Sequence, residues 1–376
     1  IRQQGFTSVH VVPDGRIASG TTALVSTAGL PPREPIVTKP TLATFALRPP
    51  GGNGYPKTLM GAHAHLRQAF LDARRFARHR RLYAEAIPDV PRPPADDVLE
   101  ALNEVLDRRR RPAFRVSTRD DIHRAIAFCG EHKIQPVLLG VDSATECLDQ
   151  LEKGRFDLLL SMRFGTEPKL RPGSSAGKLT ASLAEPLKVQ QAKKQKWVKR
   201  VRGVGQLQRR GLGLGVGSRG LKDRGELLRE VRRAIEHGWS VTDALAALTT
   251  GPARILGLPK RLGTLDPGRL GHVVLWTGRF EDSGSRVRYV LVDGVLFEYN
   301  KSAKPRPSAT SDPAAPTADS PPAPPLPRTT TDEPTRPSEI ERDRLTRSVT
   351  TGGNLLIRNA TVLTGMLGSI EGIPVI

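Results

Sequence analysis

Short apolar runs alternate with amphipathic segments along the first 262 residues. Runs rich in β-branched and aliphatic residues predict strands at 6–13, 43–49, 112–118, 134–140, 156–162 and 211–218. Apolar residues recurring every three or four positions predict helices at 57–82, 95–109, 119–132, 142–153, 184–210 and 224–238. Ser117 or Thr118, and Asp142 or Ser143, are placed to cap two of these helices. The alternation predicts an α/β protein, with a (β/α)8 TIM-type barrel over 1–262 that lacks its first strand.

The sequence pattern changes after residue 262, where predicted strands no longer alternate with predicted helices. Alternating strands at 272–278 and 287–299, the latter with an Asp-Gly turn, predict a small β-sandwich module over 263–300. Proline, serine, threonine and alanine dominate 301–350, a composition that predicts a disordered linker. The strand-like pattern "GNLLIRNATVLTG" then predicts that 351–376 opens another module.

Composition limits the partners without changing the fold. The chain has 376 residues, and its formal net charge of +20 favours anionic partners. The 2 cysteines form no metal-binding or disulfide pattern. We find no apolar run long enough to predict a transmembrane helix. The sequence starts at Ile1 without methionine and stops within "GIPVI", so we expect a segment of a longer protein, for which export to the periplasm stays open.

Four stretches carry a family resemblance. "SVTDALAALTTGPARILGLPKRLGTLDPGRLGHVVLWTG" (240–278) resembles the carboxy-terminal signature of the amidohydrolase superfamily. "QGFTSVHVVPDGRIASGTTALV" (4–25) resembles an early part of the barrel, and "YPKTLMGAHAHLRQAFLDARRF" (55–76) is similar to the imidazolonepropionase-like branch. "LLIRNATVLTG" (355–365) resembles the strand with which such proteins begin, which implies tandem modules. The resemblance implies metal-dependent hydrolysis of C–N bonds other than peptide bonds, in small amides, cyclic imides or imidazolones, with zinc or iron as cofactor.

The stretch "GAHAHLRQAF" contains two histidines, His63 and His65, at the spacing by which a strand presents two imidazoles to one metal. Apolar residues recur around them at helical spacing, and on a helix positions i and i+2 point about 200° apart. The family's metal-binding His-x-His closes the first barrel strand, which we expect before Ile1. We therefore predict that this pair binds no metal.

The other expected ligand positions can be checked against the resemblance, which implies a histidine at the end of each of two middle strands and an aspartate at the end of the eighth. The corresponding residues are Ser117, Leu139 or Gly140, and Ser218 or Arg219. None of these side chains is a ligand for zinc or iron, and an arginine would repel the ion. The sequence predicts that this barrel lacks a complete metal site.

The remaining titratable residues favour structural roles. Asp120 and Asp121 open a helix, where acids cap the first turn and interact well with the helix dipole. His123 lies within that helix, and His132 lies near its end, where a cation suits the free carbonyls. His10 lies near a strand end and, with His123, is a weak candidate for catalysis.

Two further motifs have structural explanations. "RRGLGLGVGSRG" contains spacings like a dinucleotide fingerprint, but its glycines lie inside a predicted strand, which indicates close packing against neighbours. The basic segment 188–210 contains a tryptophan, Trp197, among its cations, a pattern that nucleic-acid-binding helices share with solvated helix faces.

Three functions remain open. The first is a metal-dependent amidohydrolase whose metal site lies partly in the sequence expected before Ile1, or in the second module. The second is an amidohydrolase-fold scaffold or binding module without activity, a pseudoenzyme. The third is a basic protein that binds nucleic acid or another polyanion, and it is the least favoured. The sequence does not identify the substrate, because the loops that line the pocket vary freely on this fold. It does not indicate the oligomeric state either.

Overall fold

Secondary structure in a computed structural model of the chain follows the alternation of the sequence. The structure describes residues 1–29, 36–38, 41–142, 144–170, 186–300, 348–350, 362–363 and 369–370. The helices are α1 Leu59–Ala84, α2 Asp97–Leu106, α3 Arg119–His132, α4 Leu148–Lys153, α5 Leu187–Arg209, α6 Leu227–Glu236, α7 Val241–Leu248 and α8 Thr250–Ile255. Short 3-10 helices cover Arg2–Gln4, Ala144–Glu146 and Arg224–Glu226.

The strands within these ranges are short and fall into four sheets. They are β1 Ser8–Val11, β2 Ala18–Thr21, β3 Ala23–Ser26, β4 Ile36–Thr38, β5 Leu42–Phe45, β6 Arg111–Arg115, β7 Val137–Val141, β8 Asp157–Ser161, β9 Gly213–Gly217, β10 Val273–Trp276, β11 Val287–Val292, β12 Val295–Glu298, β13 Ser348–Thr350, β14 Val362–Leu363 and β15 Ser369–Ile370.

The largest sheet has six strands in the order β2-β5-β6-β7-β8-β9. β5 to β9 pair in parallel, and β2 pairs antiparallel with β5 at the edge. The parallel strands are joined by helices, as expected for βα units. This mixed α/β architecture is consistent with the predicted TIM-type barrel.

The core lies between this sheet and the helices packed on it, of which α1 is the longest. Ala62, Leu66, Phe70 and Ala73 form the apolar stripe of α1, and all four are fully buried. Phe70 packs edge-on against Phe45 of β5, with ring centroids 5.6 Å apart. Full burial of a large apolar side chain such as Leu66 or Phe70 contributes about 1.5–3 kcal/mol. The other faces of α1 are rich in arginine and do not pack into the core. The apolar stripe therefore attaches the helix to the sheet.

A capping box begins α3. The Thr118 side chain accepts from the backbone N–H of Asp121, and Asp121 accepts in return from the backbone of Thr118. The cap predicted at Ser117 or Thr118 is therefore Thr118, and the predicted helix bounds of 119–132 are confirmed. The cap positions the start of α3 just beyond the end of β6.

Glycines in β9 allow close packing, as predicted. A Cβ on Gly215 would lie 2.5 Å from Leu159 Cδ2 of the neighbouring strand, and one on Gly213 would lie 2.0 Å from Asp157 Oδ1. Real side chains do not approach so closely. The glycine-rich stretch is therefore a strand interior and not a phosphate-binding turn.

A four-stranded antiparallel sheet follows, in the order β10-β11-β12-β13. The hairpin between β11 and β12 turns at Asp293 and Gly294, whose φ angles are 49° and 77°, so the predicted Asp-Gly turn is confirmed. β13 lies at 348–350, inside the range assigned to the linker, and pairs with β12. Most of the predicted linker and second module lies outside the described residues.

Candidate functional site at the strand ends

Charged side chains meet at the carboxyl ends of the parallel strands. Arg115 is the last residue of β6, and Arg219 lies two residues beyond β9. Parallel strands place their carboxyl ends along one edge of the sheet, where ligand sites form in this class of fold. Asp14, from the loop after β1, reaches the same edge and pairs with both arginines. We call Asp14, Arg115 and Arg219 the strand-end cluster.

One carboxylate joins the two arginines of the cluster. Arg219 Nη2 lies 2.8 Å from Asp14 Oδ2, and Arg115 Nη1 pairs with Asp14 Oδ1. Arg115 Nη2 also donates to the carbonyl oxygen of Arg16 and, at 3.1 Å, to Ser19 Oγ. The Arg115 side chain is 8% exposed, whereas that of Arg219 is 44% exposed. The first guanidinium is therefore buried and fixed, and the second is accessible to solvent.

The two guanidinium groups form a region of positive charge. Burial, and then repulsion from Arg219, lowers the pKa of Arg115 to about 10. Burial also lowers the pKa of Arg219, and the carboxylate of Asp142 partly opposes this. Both side chains remain cations at neutral pH. Two neighbouring guanidinium groups attract an additional anion and repel a divalent cation.

Gly140 makes room for Arg219. Its φ is 74°, and a Cβ at this position would lie 2.9 Å from Arg219 Cδ. A larger residue would strain the backbone and displace the arginine. One expected ligand position, Leu139 or Gly140, is therefore covered by the Arg219 side chain.

The expected ligand positions hold no set of metal donors. The backbone N–H of Ser117 donates to Asp121 Oδ2 at 3.1 Å, Leu139 is buried, and Ser218 directly follows β9. Within the described ranges, no group of three or more His, Cys, Asp or Glu residues is placed to hold a metal ion. Zinc and iron are held in proteins mainly by imidazole, thiolate and carboxylate groups. The residues described here do not fit the metal that the resemblance implies.

His63 and His65 lie on α1, so the helix predicted for this stretch is confirmed. His63 is half-buried and lies edge-on to Phe128, with ring centroids 6.2 Å apart. Burial lowers the pKa of His63, while His65 is exposed. The two rings point to different sides of the helix and do not converge on one ion.

Replacing His63 and His65 together with alanine should leave the amount of bound zinc or iron per chain unchanged. The reason is the divergence of the two rings on α1. Metal analysis of the purified variant beside the unaltered chain checks this, with circular dichroism to show that α1 still forms. Loss of a stoichiometric ion in the double variant would contradict the prediction.

The remaining histidine candidates lie apart from the strand-end cluster. His10 in β1 is held by Thr41 Oγ1 at 3.3 Å, and burial lowers the pKa of its ring to about 4, so it is neutral at pH 7. His123 is half-buried on α3 and contacts Cys147 Sγ at 3.9 Å. Neither pairs with Asp14 or an arginine of the cluster in the described structure.

The position of the His132 ring differs from the expected one near the carbonyls at the end of α3. Its ring packs against Phe70 and Phe128 with centroids 4.9 Å and 4.5 Å away. Burial and then the charge of Arg74 lower the pKa of this histidine, so its neutral form is favoured. The structural role predicted for His132 is therefore packing in the core, and within the described residues its ring nitrogens make no hydrogen bond to the carbonyls at the end of α3.

Trp197 lies on the inner side of the basic helix α5. It is buried, and its ring lies 5.3 Å from that of His237. It is therefore not available to stack on a nucleic-acid base, which removes one of the two features that suggested such binding. Over the described part of the chain, no helix combines the length and apolar character needed to cross a membrane.

A cavity of about 1610 Å³ adjoins the strand-end cluster. Asp14, Gly140 and Arg219 contribute to its wall, together with apolar residues of β1, α7 and β10. A small molecule in this cavity can therefore reach Arg219 and its carboxylate partner. The arrangement is suited to holding an anionic group at one end and apolar groups along the sides.

Two residues of the cluster were not predicted from the sequence. Asp14 follows a strand in the turn sequence "VVPDG", and Arg115 interrupts the apolar run "PAFRV". An arginine at an inward-facing strand position is unusual, because burying its charge requires a partner. The arginine inside an apolar strand was therefore the sequence feature from which this cluster could have been predicted.

Comparison with known proteins agrees with the fold. The amidohydrolase family model matches residues 192–297, from α5 into β12. A search of curated proteins finds no match for the chain.

Among solved structures, an amidohydrolase from Thermotoga maritima MSB8 is similar over 78% of this chain and 72% of that chain, with 21% identity and a TM-score of 0.64. At this identity the similarity concerns the fold alone. A prolidase complexed with N-methylphosphonate-L-proline is similar over 55% of this chain and 50% of that chain, with 20% identity and a TM-score of 0.36, too low to bear on the fold. Residues 192–297 thus match the amidohydrolase family model, and the chain has a fold similar to that of an amidohydrolase.

Proposed function

We propose that this part of the chain is an amidohydrolase-fold binding module that holds a small carboxylate at Arg219, beside the buried Arg115. One observation carries the proposal: both guanidinium groups converge on the single carboxylate of Asp14. The side chain of Asp14 is 56% exposed and belongs to a surface loop, so a carboxylate from solution can compete with it for Arg219. Guanidinium groups bind carboxylates through paired, charge-assisted hydrogen bonds.

The two guanidinium groups have more N–H donors than the carboxylate of Asp14 can accept. Two guanidinium groups carry about ten N–H donors, whereas one carboxylate offers about four acceptor positions. Within the described structure, Arg115 Nε is buried and has no hydrogen-bond partner. Arg219 is the exposed member of the pair, so this surplus favours a further anion at Arg219.

The competing function is hydrolysis of C–N bonds by metal-activated water, as the family resemblance implies. Its support is the family domain at 192–297. Against it stands the donor set at the strand ends, where Arg219 takes the place expected for an aspartate. A metal-bound water has a pKa near 7, compared with about 15.7 for free water, so such hydrolysis depends on holding the ion. The imidazolonepropionase-like branch and the tandem second module remain predictions from the sequence.

Titration calorimetry of the full chain with acetate, succinate and citrate tests the binding function. Arg219→Ala should weaken binding roughly ten- to hundredfold, because a charge-assisted hydrogen bond contributes about 1.5–3 kcal/mol. Arg78→Ala is the matched control, since it removes the same charge from an exposed position of α1. Equal weakening by both variants would indicate binding to general positive charge and would contradict the proposal.

A second measurement addresses the competing function. The chain is incubated with zinc, iron or manganese and assayed against hydantoins, dihydropyrimidines, imidazolones and acyl amino acids. We expect no turnover that depends on metal. Turnover that requires the added metal and disappears with a chelator would overturn the proposed function in favour of the hydrolase.

A further inference from the structure

Ser8, His272 and Asp293 form a continuous hydrogen-bonded chain. Ser8 Oγ lies 3.0 Å from His272 Nδ1, and His272 Nε2 lies 2.9 Å from Asp293 Oδ1. The three residues come from β1, from the residue before β10, and from the hairpin turn after β11. These are the residue types and distances by which a base activates a hydroxyl nucleophile and a carboxylate orients the base.

The carboxylate is held in its ionised form. Burial alone would raise the pKa of Asp293, but hydrogen bonds from Ser26 and His272 outweigh burial and lower it. An ionised Asp293 accepts a hydrogen bond, so the proton of His272 lies on Nε2. Nδ1 then carries a lone pair and accepts from the Ser8 hydroxyl, which is the arrangement of a general base.

The base is fixed and the hydroxyl is accessible. The His272 side chain is 3% exposed, and contacts at both ring nitrogens set its orientation. Ser8 and His272 both contribute to the wall of the 1610 Å³ cavity. Nearby wall residues include Leu24, Leu270 and Val274, so this part of the cavity suits an apolar acyl group.

We propose that Ser8 is a nucleophile, with His272 as its general base and Asp293 as the positioning residue, and that the cavity hydrolyses esters of apolar carboxylic acids. This activity needs no metal and does not rest on the carboxylate site at Arg219. The roles of the two imidazole nitrogens are exchanged relative to serine proteases, but the chemistry requires only one acceptor and one donor nitrogen.

The reaction balances with water as co-reactant. Ser8 Oγ attacks the ester carbonyl carbon while His272 Nδ1 takes the hydroxyl proton. The carbon–oxygen bond to the alcohol breaks, and the alcohol leaves with that proton. Water then attacks the acyl-Ser8 ester and gives a proton to His272, which returns it to Ser8 Oγ as the acid departs.

Labelling with a fluorophosphonate probe tests the nucleophile directly. Peptide mapping of the full chain should find the adduct on Ser8, and Ser8→Ala should not be labelled. Ser240→Ala is the matched control, because Ser240 is exposed and its side chain makes no capping hydrogen bond, and it should be labelled like the unaltered chain. Absence of label on Ser8 in the folded chain would overturn the proposal.

Turnover of 4-nitrophenyl butyrate gives an independent measure. We expect a burst of 4-nitrophenol stoichiometric with the chain, and a fall of about 100-fold or more in Ser8→Ala. A chelator should have no effect, which separates this activity from metal-dependent hydrolysis. Equal turnover by folded Ser8→Ala would contradict the assignment.

A second variant separates catalysis from structure. In Ser8→Cys, alkylation by iodoacetamide should be at least tenfold faster at position 8 than at the buried Cys129 and Cys147. Adding Asp293→Asn should remove this advantage without removing the thiol. If the alkylation rate is the same in both backgrounds, the contacts are merely structural and the proposal is wrong.

Discussion

Replacing Gly251 with alanine is expected to destabilise the chain by about 3 kcal/mol or more, at the upper end of what overpacking costs. Gly251 lies in α8, where the helix crosses β9. A Cβ there would lie 2.0 Å from the carbonyl oxygen of Leu214 and 3.0 Å from that of Ala246. Both atoms belong to the backbone and cannot rotate away, so the helix must move from the sheet.

Thermal unfolding followed by circular dichroism checks this expectation. Gly130→Ala is the matched control, because Gly130 lies in α3, is exposed, and has no atom within 4 Å of the position of a Cβ. Alanine is favoured over glycine in an exposed helix by about 0.5–1 kcal/mol, so this variant should be slightly stabilised. Similar unfolding temperatures for the two variants would show that α8 is not packed against β9 as described.

Replacing Asp121 with alanine is expected to cost about 3–5 kcal/mol, the range for breaking a buried ion pair. Its carboxylate is 4% exposed and accepts from Arg48 Nε at 3.1 Å and from Arg124 Nη2 at 3.0 Å. It also accepts from the backbone N–H groups of Ser117 and Thr118, each at 3.1 Å. Removing it breaks the half of the capping box that Asp121 supplies and deprives two arginines of their partner.

The same carboxylate predicts a dependence of stability on pH. Burial alone would raise the pKa of Asp121, but hydrogen bonds from Arg48, Thr118, Arg124 and Ser117 outweigh burial and lower it. Because the folded pKa is below the unfolded value of about 3.9, the contribution is complete above that pH and is lost as the pH falls further. Denaturant unfolding at pH 7 and pH 3 should show this loss in the unaltered chain and a smaller one in Asp121→Asn.

Asp120→Ala serves as the control for both measurements. Asp120 is exposed in the first turn of α3 and interacts mainly with the helix dipole, a contribution of about 0.3–1 kcal/mol. A loss at Asp120 as large as that at Asp121 would contradict the role assigned to the buried carboxylate.

Local patterns explain why much of the fold could be predicted from the sequence. Helix α1 follows from the recurrence of Ala62, Leu66 and Phe70, and the β11–β12 hairpin from Asp293 and Gly294. Both depend on interactions between neighbours in sequence. The small strands β2, β3 and β4 were not predicted separately, because each has only three or four residues and pairs with a partner distant in sequence.

The candidate site was only partly predictable for a similar reason. Ser218 or Arg219 was predicted at the position expected for an aspartate, because both follow a recognisable strand. The other members of the cluster, Asp14 and Arg115, are distant in sequence, and their meeting with Arg219 depends on how the loop after β1 lies across the sheet. The Ser8, His272 and Asp293 contacts span 264 residues from Ser8 to His272 and a further 21 to Asp293, a distance that no local pattern reveals.

The position of Arg219 over Gly140 has a consequence for protein engineering. Installing a divalent-ion centre at these strand ends would require coordinated exchanges at positions 140 and 219. A histidine at position 140 alone would collide with the arginine, and an aspartate at position 219 alone would leave one guanidinium between two carboxylates. Positions 140 and 219 would therefore have to be changed together.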